Sequence, residues 1–495
     1  MAAGVTTGAR KTVLLLSRGM RLHRFFREMA ADLATDHRVV VVGAPEERAS
    51  FSTIPGVIVR PHASRDIPGV VDGVDGNDPG VQEEARRIER EIGLPVHRAA
   101  SNYLLYGRIV RGFGGRWRYL DTEAEIVAAY VAAHRHLSRI FDEFAPTAVF
   151  YETVDLVSCY VALALACRRG IFALDFRFSP LSDGQISISF GVQKRNVVLE
   201  YLYAHPEAIE PASWGRADEL VGGAREHMTE SAYATVHRRM VAGGRRMLAA
   251  RLRAVASDWR RGVAALRNTR WHYRAARNRA WLERHLAKSL PAPPYIAFWL
   301  QHLPEASTCA QAPRWIYQDA IVEQLAVHAP AGLTIVVKEH PRTYGRRGRE
   351  FFAPLLALPN VVACHPLVDN HALLSRAEAI VAVTGSVGLD GILLGKRVGV
   401  LGRPFYTVYR GLRCLDAPEE IFGALADESW RPEQMVDERR RFLAAYVQSW
   451  HDFGHGEGGA VLPRRGGDRW AAALRRTLSF IERHGLKPAD FPSGL

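Results

Sequence analysis

A lysine, a glutamate, a histidine and a proline stand together where an apolar stretch of the chain ends. The stretch is the β-branched run 334–338, and the four residues are Lys338, Glu339, His340 and Pro341. An imidazole can donate a hydrogen bond to a phosphate oxygen or protonate it, and a lysine adds positive charge. Pro341 biases His340 away from helical backbone angles and so fixes the direction of the chain. The pattern predicts that His340 is catalytic and that the other three residues take part in binding a phosphate-bearing donor.

A threonine, a glycine and a serine form a second polar cluster. Thr384, Gly385 and Ser386 follow the apolar run 379–383 and precede a predicted helix over 387–394. A helix N-terminus carries free backbone N–H groups, and two hydroxyl groups beside it can also bind an anion. Glycine lacks a Cβ atom, which lets a ligand approach the backbone closely. This cluster predicts a binding site for a phosphate or a carboxylate group.

Short apolar runs that alternate with predicted helices must position these clusters. Continuous runs of four to eight Val, Ile and Leu residues are typical of a parallel sheet that is covered on both faces. Ligands of such sheets bind at the carboxyl ends of the strands, beside the following helices. Both clusters are therefore expected at one edge of one sheet, around a phosphate-bearing ligand. The strands predicted for this half of the chain are 295–300, 334–338, 360–364, 379–383 and 397–401.

The first half of the chain shows the same alternation. Strand 11–17, helix 22–33 and strand 38–43 predict a βαβ unit, and no GxGxxG follows the first strand, so a dinucleotide site has no support. A later predicted strand ends at Glu152 and Asp155. Acidic residues at a strand end are candidates for catalysis, and the alternative is a helix cap or an ion pair with an arginine. Both interpretations stay open for the two residues.

The length of 495 residues predicts two domains rather than one core. The run Pro-Ala-Pro-Pro at 291–294 is the clearest linker. We expect an α/β protein with two Rossmann-like, doubly wound domains that face a cleft, and a basic helical segment before the second domain. The closing helices are expected to cross back to the first domain. The predicted segments are 1–227 for the N-terminal acceptor or catalytic domain, 228–290 for the basic segment, 291–435 for the nucleotide-binding domain and 436–495 for the closing helices.

Positive charge is concentrated in one part of the chain. Segment 238–288 contains fifteen Arg and Lys residues against two acidic residues, so it accounts for the whole net charge of +13. Tryptophan and tyrosine are interleaved with these arginines. Such a pattern suits an anionic membrane surface or glycolipid, and nucleic acid is a weaker alternative. A solvated helical hairpin whose arginines pair with acidic residues elsewhere remains equally open.

Composition narrows the class of protein further. The contents of 48% hydrophobic and 24% charged residues are ordinary for a globular protein. No apolar run reaches the length of a membrane-spanning helix, and the N-terminus does not resemble a secretory signal. The five cysteines form no CxxC pair, which predicts reduced thiols and a cytoplasmic protein. The basic segment adds the prediction of peripheral attachment at the inner membrane.

Four motifs resemble the bacterial capsule and surface-polysaccharide synthesis family. The resemblance covers about 115 residues, and the first 290 residues match only in general organisation. It implies a GT-B-like fold. The family includes the Kdo transferases that use CMP-Kdo. The motifs are Tyr295-Ile-Ala-Phe-Trp-Leu-Gln-His-Leu-Pro-Glu-Ala-Ser-Thr308, Lys338-Glu-His-Pro341, Thr384-Gly-Ser-Val-Gly-Leu-Asp390 and Leu393-Leu-Gly-Lys-Arg-Val398.

The resemblance implies a glycosyltransferase with a nucleotide sugar as donor and a glycan or glycolipid as acceptor. It implies no metal and no cofactor, because backbone amides and side chains hold the phosphate in a GT-B protein. Gly388 is expected to allow close approach to the donor, and Asp390, where the family pattern has a glutamate, to accept from ribose hydroxyl groups. A first-domain carboxylate would act as the nucleophile of a retaining reaction. Transfer of a polyol phosphate or a UDP-sugar, and a non-catalytic membrane-docked assembly component, remain as alternatives.

Overall fold

The computed structural model describes most of the chain in two compact units. The described residues are 10–19, 22–67, 69–110, 120–182, 184–224, 273–303, 305–454 and 466–495. The first unit comprises Met1–Gly107, Trp117–Ala204 and Gln448–Leu495, and the second comprises His205–Val447 with Arg108–Arg116. Among the described residues, no helix is long and apolar enough to cross a membrane.

The first unit is built on a seven-stranded sheet. Its strand order is β13-β6-β5-β4-β1-β2-β3, and all pairs are parallel except those that β6 makes with β5 and β13. The order of the parallel strands reverses between β1 and β4. The strands are β1 (Thr12–Leu16), β2 (Arg38–Gly43), β3 (Val57–Pro61), β4 (Ala148–Tyr151), β5 (Phe172–Phe178), β6 (Gln185–Phe190) and β13 (His451–Asp452).

The second unit is built on a six-stranded sheet in which every pair is parallel. Its order is β12-β11-β10-β7-β8-β9, which is the 3-2-1-4-5-6 order of the dinucleotide-binding fold read from the other edge. The order reverses between β7 and β10. The strands are β7 (Tyr295–Trp299), β8 (Thr334–Lys338), β9 (Val361–Cys364), β10 (Ala379–Ala382), β11 (Val398–Val400) and β12 (Arg413–Cys414).

Helices follow the strands in both units, so the two predicted Rossmann-like α/β domains are confirmed. Before residue 225 the α-helices are His23–Leu33, Arg48–Ser52, Pro79–Ile92, Val96–Ala99, Ser101–Val110, Glu123–Phe144, Val157–Arg168, Val197–Ala204 and Pro211–Gly222. After residue 272 they are 273–285, Ala306–Cys309, Gln318–His328, Arg349–Leu356, Asn370–Arg376, Val387–Leu393, Glu420–Ala426, Val436–Gln448 and Gly467–Arg483.

Apolar side chains from both faces of the second sheet are fully buried. Phe298 of β7 and Val337 of β8 belong to the core cluster on one face, and Ala297 of β7 and Val336 of β8 are buried on the other face. A strand that is covered on both faces cannot alternate polar and apolar residues. This is why the sequence shows continuous apolar runs and why polar residues appear only where each strand ends.

The C-terminal helix Gly467–Arg483 packs on the first helix of the chain, His23–Leu33. Trp470 stacks on Phe25 with ring centroids 5.2 Å apart. The Glu28 carboxylate accepts from the backbone N–H of Gly467 at 3.0 Å, which satisfies one of the open donors at the start of this helix. The first unit therefore includes the end of the chain. Contacts divide the chain after residues 204 and 447, whereas the sequence analysis places limits at 227 and 435.

Candidate active site

Strand register brings three polar loops of the second unit to one place. Trp299 at the end of β7 pairs with Lys338 at the end of β8, and β10 pairs with β7 on the other side. The carboxyl end of β7 therefore lies between the two clusters singled out in the sequence. This is the point where the strand order reverses, and doubly wound proteins bind ligands in the crevice that such a reversal creates.

A fully buried glutamate organises the loop after β8. The Glu339 carboxylate accepts from the His340 backbone N–H at 2.6 Å, from the Thr343 hydroxyl at 2.7 Å and from Arg347 Nη1 at 2.8 Å. Its side chain is 0% exposed, and that of Arg347 is 10% exposed. Glu339 thus fixes the backbone of the catalytic candidate through its Oε1 atom, which all three partners contact.

Arg347 connects this loop to the loop after β7. Its Nη2 atom donates to the carbonyl oxygen of Gln301 at 2.6 Å, while Nη1 holds Glu339. The Gln301 N–H in turn donates to the Gln318 side chain at 2.6 Å. The buried ion pair therefore sets the spacing between the two loops that carry His302 and His340.

Two histidines face each other across these loops. The His302 and His340 ring centroids are 5.8 Å apart at an interplanar angle of 66°. Arg346 Nη1 lies 3.3 Å from His302 Nε2. A guanidinium can only donate, so this contact makes Nε2 an acceptor and places the His302 proton on Nδ1. The arrangement joins two imidazoles and a permanent positive charge, which is a set of groups that suits a phosphate.

His302 is the functional candidate that the sequence analysis missed. It lies inside the first family motif and directly after β7, but only His340 was singled out. The signal was available, because a histidine at the carboxyl end of a central strand has the same position as His340.

The Thr-Gly-Ser turn after β10 lies against the loop after β7. A Cβ atom on Gly385 would be 2.6 Å from Gln301 Nε2, so the Gln301 side chain lies against the backbone of Gly385 in space that a larger residue would fill. Thr384 is buried, and its hydroxyl donates to the Ser307 carbonyl oxygen at 3.0 Å. Ser386 is exposed and immediately precedes the helix Val387–Leu393. Thr384 therefore supports the turn, and Ser386 is the hydroxyl that is accessible to a ligand.

Lys338 does not face the same side as His340. It is buried, and its ammonium group donates to the Val368 carbonyl oxygen and to the Asn370 side chain. Burial lowers the pKa of Lys338 to about 8. The predicted ligand contact is thus corrected: residues 338 and 340 would share a face only in a continuing strand, and β8 ends at Lys338, which supports the loop after β9 instead.

The remaining predicted binding residues lie around the turn and the loop. Pro341 is buried and begins the 3-10 helix Pro341–Thr343. Gly388 lies under the ring of Tyr406, whose hydroxyl donates to the Gly385 carbonyl oxygen at 2.6 Å. Asp390 is partly exposed in the helix Val387–Leu393, and burial raises its pKa to about 7.

Replacing Gly388 with alanine should loosen the Thr-Gly-Ser turn. A Cβ atom there would lie 2.4 Å from the Tyr406 hydroxyl, which holds the turn through Gly385. We expect a loss of about 1–3 kcal/mol in the free energy of unfolding, measured in urea. Gly423→Ala is the matched control, because nothing lies within 4 Å of its Cβ position in an exposed helix. That variant should gain up to about 1 kcal/mol, and equal effects of the two would contradict this role of Gly388.

Glu152 and Asp155 occupy the corresponding position in the first unit. They follow β4, next to the loop after β1, where the strand order of this sheet reverses. Arg18 Nε donates to Glu152 Oε2 at 2.7 Å, and Arg18 Nη1 donates to Asp155 Oδ1. Burial raises the pKa of Asp155, and the Arg18 charge opposes this rise. The ion pair with an arginine, left open by the sequence, is present, and the catalytic role of both carboxylates remains a prediction.

The structure thus places the predicted residues in two separate groups. The second unit brings His340 and the 384–386 turn to the end of β7, and the first unit holds Glu152 and Asp155 on Arg18. Among the residues that the structure describes, no group of three His, Cys, Asp or Glu side chains could hold a metal ion.

Comparison with known families agrees with the position of this site. Residues 291–423 match the family model described as capsule polysaccharide biosynthesis protein. The matched residues contain β7–β12 and every second-unit residue that the sequence analysis placed in the site. No curated protein sequence matches the chain.

The chain also aligns with solved structures at low similarity. Thermosulfurimonas dismutans KpsC, beta Kdo 2,7 transferase, is 12% identical with a TM-score of 0.38, over 75% of this chain and 95% of that one. The beta Kdo 2,4 transferase of the same KpsC is 15% identical with a TM-score of 0.37, over 67% and 87%. Anabaena Alr3699/HepE in complex with UDP and glucose is 11% identical with a TM-score of 0.29, over 95% and 100%.

Proposed function

We propose that the protein is a nucleotide-sugar-dependent glycosyltransferase of capsule or surface-polysaccharide biosynthesis. The observation that carries the proposal is the meeting of His302, His340 and the 384–386 turn at the end of β7. These groups lie inside the residues that match the capsule family, at the strand reversal of the second sheet. Imidazoles and an accessible hydroxyl at that position suit a donor phosphate.

The second unit supplies stabilisation of the leaving phosphate. Negative charge develops on the phosphate oxygens as the glycosidic bond breaks, and fixed donors stabilise that charge most in a partly dry site. His340 donates to, or protonates, a phosphate oxygen, with His302 and Arg346 beside it. Glu339 and Arg347 hold the two loops in position, so these donors need little rearrangement during the reaction.

The first unit supplies the carboxylate chemistry in this proposal. Glu152 or Asp155 either removes the proton of the acceptor hydroxyl or attacks the anomeric carbon as nucleophile. In the retaining case, the nucleotide phosphate leaves with the bonding electron pair while the carboxylate forms a glycosyl–enzyme bond. The acceptor oxygen then displaces the carboxylate and loses its proton. Glycan or glycolipid is the proposed class of acceptor.

CMP-Kdo is the preferred donor, because the family that the chain resembles includes Kdo transferases that use it. Kdo carries a carboxylate in addition to the phosphate of the donor. The Ser386 hydroxyl would bind this second anionic group. Transfer from a UDP-sugar or of a polyol phosphate would use the same phosphate-binding groups and a different base contact. A non-catalytic assembly component would bind a nucleotide without turnover.

Release of nucleotide in the presence of acceptor separates these functions. The purified protein is incubated with CMP-Kdo, a UDP-sugar or a CDP-polyol, together with a capsular glycan or glycolipid acceptor, and free nucleotide is measured. We expect turnover with CMP-Kdo, and loss of that turnover in His340→Ala. Turnover with only a UDP-sugar or only a CDP-polyol would favour the corresponding alternative. Nucleotide binding without turnover of any donor would contradict a transferase.

The ionisation of Asp390 should make stability depend on pH. Its pKa of about 7 in the folded protein lies above the value of about 3.9 for an unfolded aspartate. The folded protein therefore binds this proton more tightly, and the resulting stability is present below about pH 4 and is lost as the pH rises through about 7. Asp390→Asn should remove this decline, which melting temperatures between about pH 5 and pH 8 would show. Parallel pH profiles of wild type and variant would contradict the assignment.

The basic segment 238–288 is proposed to bind an anionic membrane surface and so to hold the protein at the inner face of the membrane. Residues 225–272 lie outside the described part of the chain. The described helix 273–285 turns Ala275 and Leu282 inward and exposes Arg277 and Arg284. Sedimentation with anionic vesicles, lost with zwitterionic vesicles or in about 1 M salt, is the expected result. Binding to RNA but not to vesicles would favour nucleic acid instead.

A further inference from the structure

Arg18 of the first unit forms ion pairs that packing alone does not explain. Its side chain is 9% exposed, and it contacts two carboxylates of one loop at once. Glu152 and Asp155 are 25% and 13% exposed, so the cluster is partly buried but open to solvent on the glutamate side. One cation between two carboxylates leaves a net negative charge in this place. Clusters of this kind are typical of sites where a carboxylate must be both ionised and oriented.

The elements that carry these residues explain how the cluster forms. Arg18 follows β1, and the two carboxylates follow β4, which is the neighbour of β1 in the sheet. The guanidinium uses Nε for one carboxylate and Nη1 for the other, so its planar geometry sets the distance between them. The side chain of Asn102 donates to the Asp155 carbonyl oxygen at 3.1 Å, which fixes the loop from the other side.

Other charged and titratable groups face the cluster from each element packed around it. None of these groups supplies a second guanidinium between the two carboxylates. They are Asp66 from the loop after β3, Tyr103 from the helix Ser101–Val110, Cys159 from the helix Val157–Arg168 and Lys194 from the turn after β6.

We propose that Arg18 is a positioning residue for the carboxylate that reacts in the first unit. It holds Glu152 and Asp155 in one geometry, and its charge favours the ionised form of Asp155. Two neighbouring carboxylates without a cation between them do not both ionise readily, because each charge opposes the other. That the carboxylate pair acts in glycosyl transfer rests on the proposed function; the electrostatic role of Arg18 does not.

The test compares Arg18→Met with Arg195→Met. Arg195 forms the same kind of partly buried pair, with Glu200 rather than with Glu152 or Asp155. Burial raises the pKa of Glu200, and Arg195 opposes this rise, as Arg18 does for Asp155. The two substitutions therefore remove the same chemistry at two different positions.

In the transfer assay, Arg18→Met should lower kcat and move its acid limb upward by about one to three pH units. Arg195→Met should leave the acid limb of the kcat profile at its wild-type pH. Arg18→Lys should recover the charge but only part of kcat, because an ammonium group cannot span both carboxylates. An unchanged pH profile in Arg18→Met, with wild-type turnover present, would overturn the proposal.

A stability measurement tests the electrostatic role of Arg18 independently of turnover. If no donor is turned over, the proposed function fails, and the role of Arg18 can still be tested. Without Arg18 the pKa of Asp155 rises further, so the loss of melting temperature relative to wild type should grow from about pH 5 to pH 8. This growth should disappear in the double variant Arg18→Met/Asp155→Asn. A loss in Arg18→Met that is the same at both pH values would show a packing role only and would overturn the proposal.

Discussion

Replacing His340 with alanine should lower kcat/KM for the donor by about 10²–10³-fold while the protein stays folded. This range is what the loss of one fixed donor to a developing oxyanion costs in other enzymes. His340 has that position here, at the end of β8 and beside the His302 ring. The Glu339 carboxylate binds the backbone N–H of residue 340, so the loop keeps its main anchor without the imidazole.

His302→Ala should lower kcat/KM in the same direction, and the double variant should lose less than the product of the two effects. Groups that act on one phosphate as a unit are strongly non-additive. His328→Ala is the control, because this exposed histidine lies at the end of the helix Gln318–His328 and contacts the Gln324 carbonyl oxygen of its own helix. Titration with CMP would separate binding from turnover. Wild-type affinity for CMP and wild-type kcat in His340→Ala would show that His340 is not part of the site.

The Arg347→Met substitution should cause the largest loss of stability, about 3–5 kcal/mol in the free energy of unfolding. Removal of one partner of a buried ion pair leaves the other charge without compensation, and this is costly. Glu339 would keep its bonds to Thr343 and to the backbone of residue 340 but would lose its only cation. The bond to the Gln301 carbonyl oxygen would also be lost, which frees the loop of His302.

Glu339→Gln in the Arg347→Met background should recover much of this loss, since a neutral amide needs no counter-charge. Arg274→Met is the matched control: its pair with Glu350 is 65% and 58% exposed, and removal should cost at most about 1 kcal/mol. Urea unfolding of the four proteins provides the comparison. Similar losses in Arg274→Met and Arg347→Met would show that the buried pair does not organise the two loops.

Sequence patterns were sufficient for the parts of the fold that depend on continuous burial. Five strands of the second sheet were predicted from apolar runs, because a strand covered on both faces has only apolar residues until it ends. The two-residue strand Arg413–Cys414 carries no such pattern and was not predicted. The run 187–203 covers most of β6 and of the helix Val197–Ala204. Its apolar residues fit both periodicities.

The candidate site could be located from the sequence, but the roles of its polar residues could not be divided. Lys338, Glu339 and Thr384 look like ligand residues on paper, and in the structure each one holds a loop in place. Their partners include the carbonyl oxygens of Val368 and Ser307, which are 30 and 77 positions away in the sequence. Such pairings depend on strand register and loop path, which local patterns do not contain.

Diffraction from crystals of the protein soaked with CMP would test the central claim most directly. The phosphate should lie at the carboxyl end of β7, within hydrogen-bond distance of the His340 imidazole and of the Ser386 hydroxyl. Density for the nucleotide at another edge of the sheet, or a phosphate that contacts neither His302 nor His340, would contradict the account.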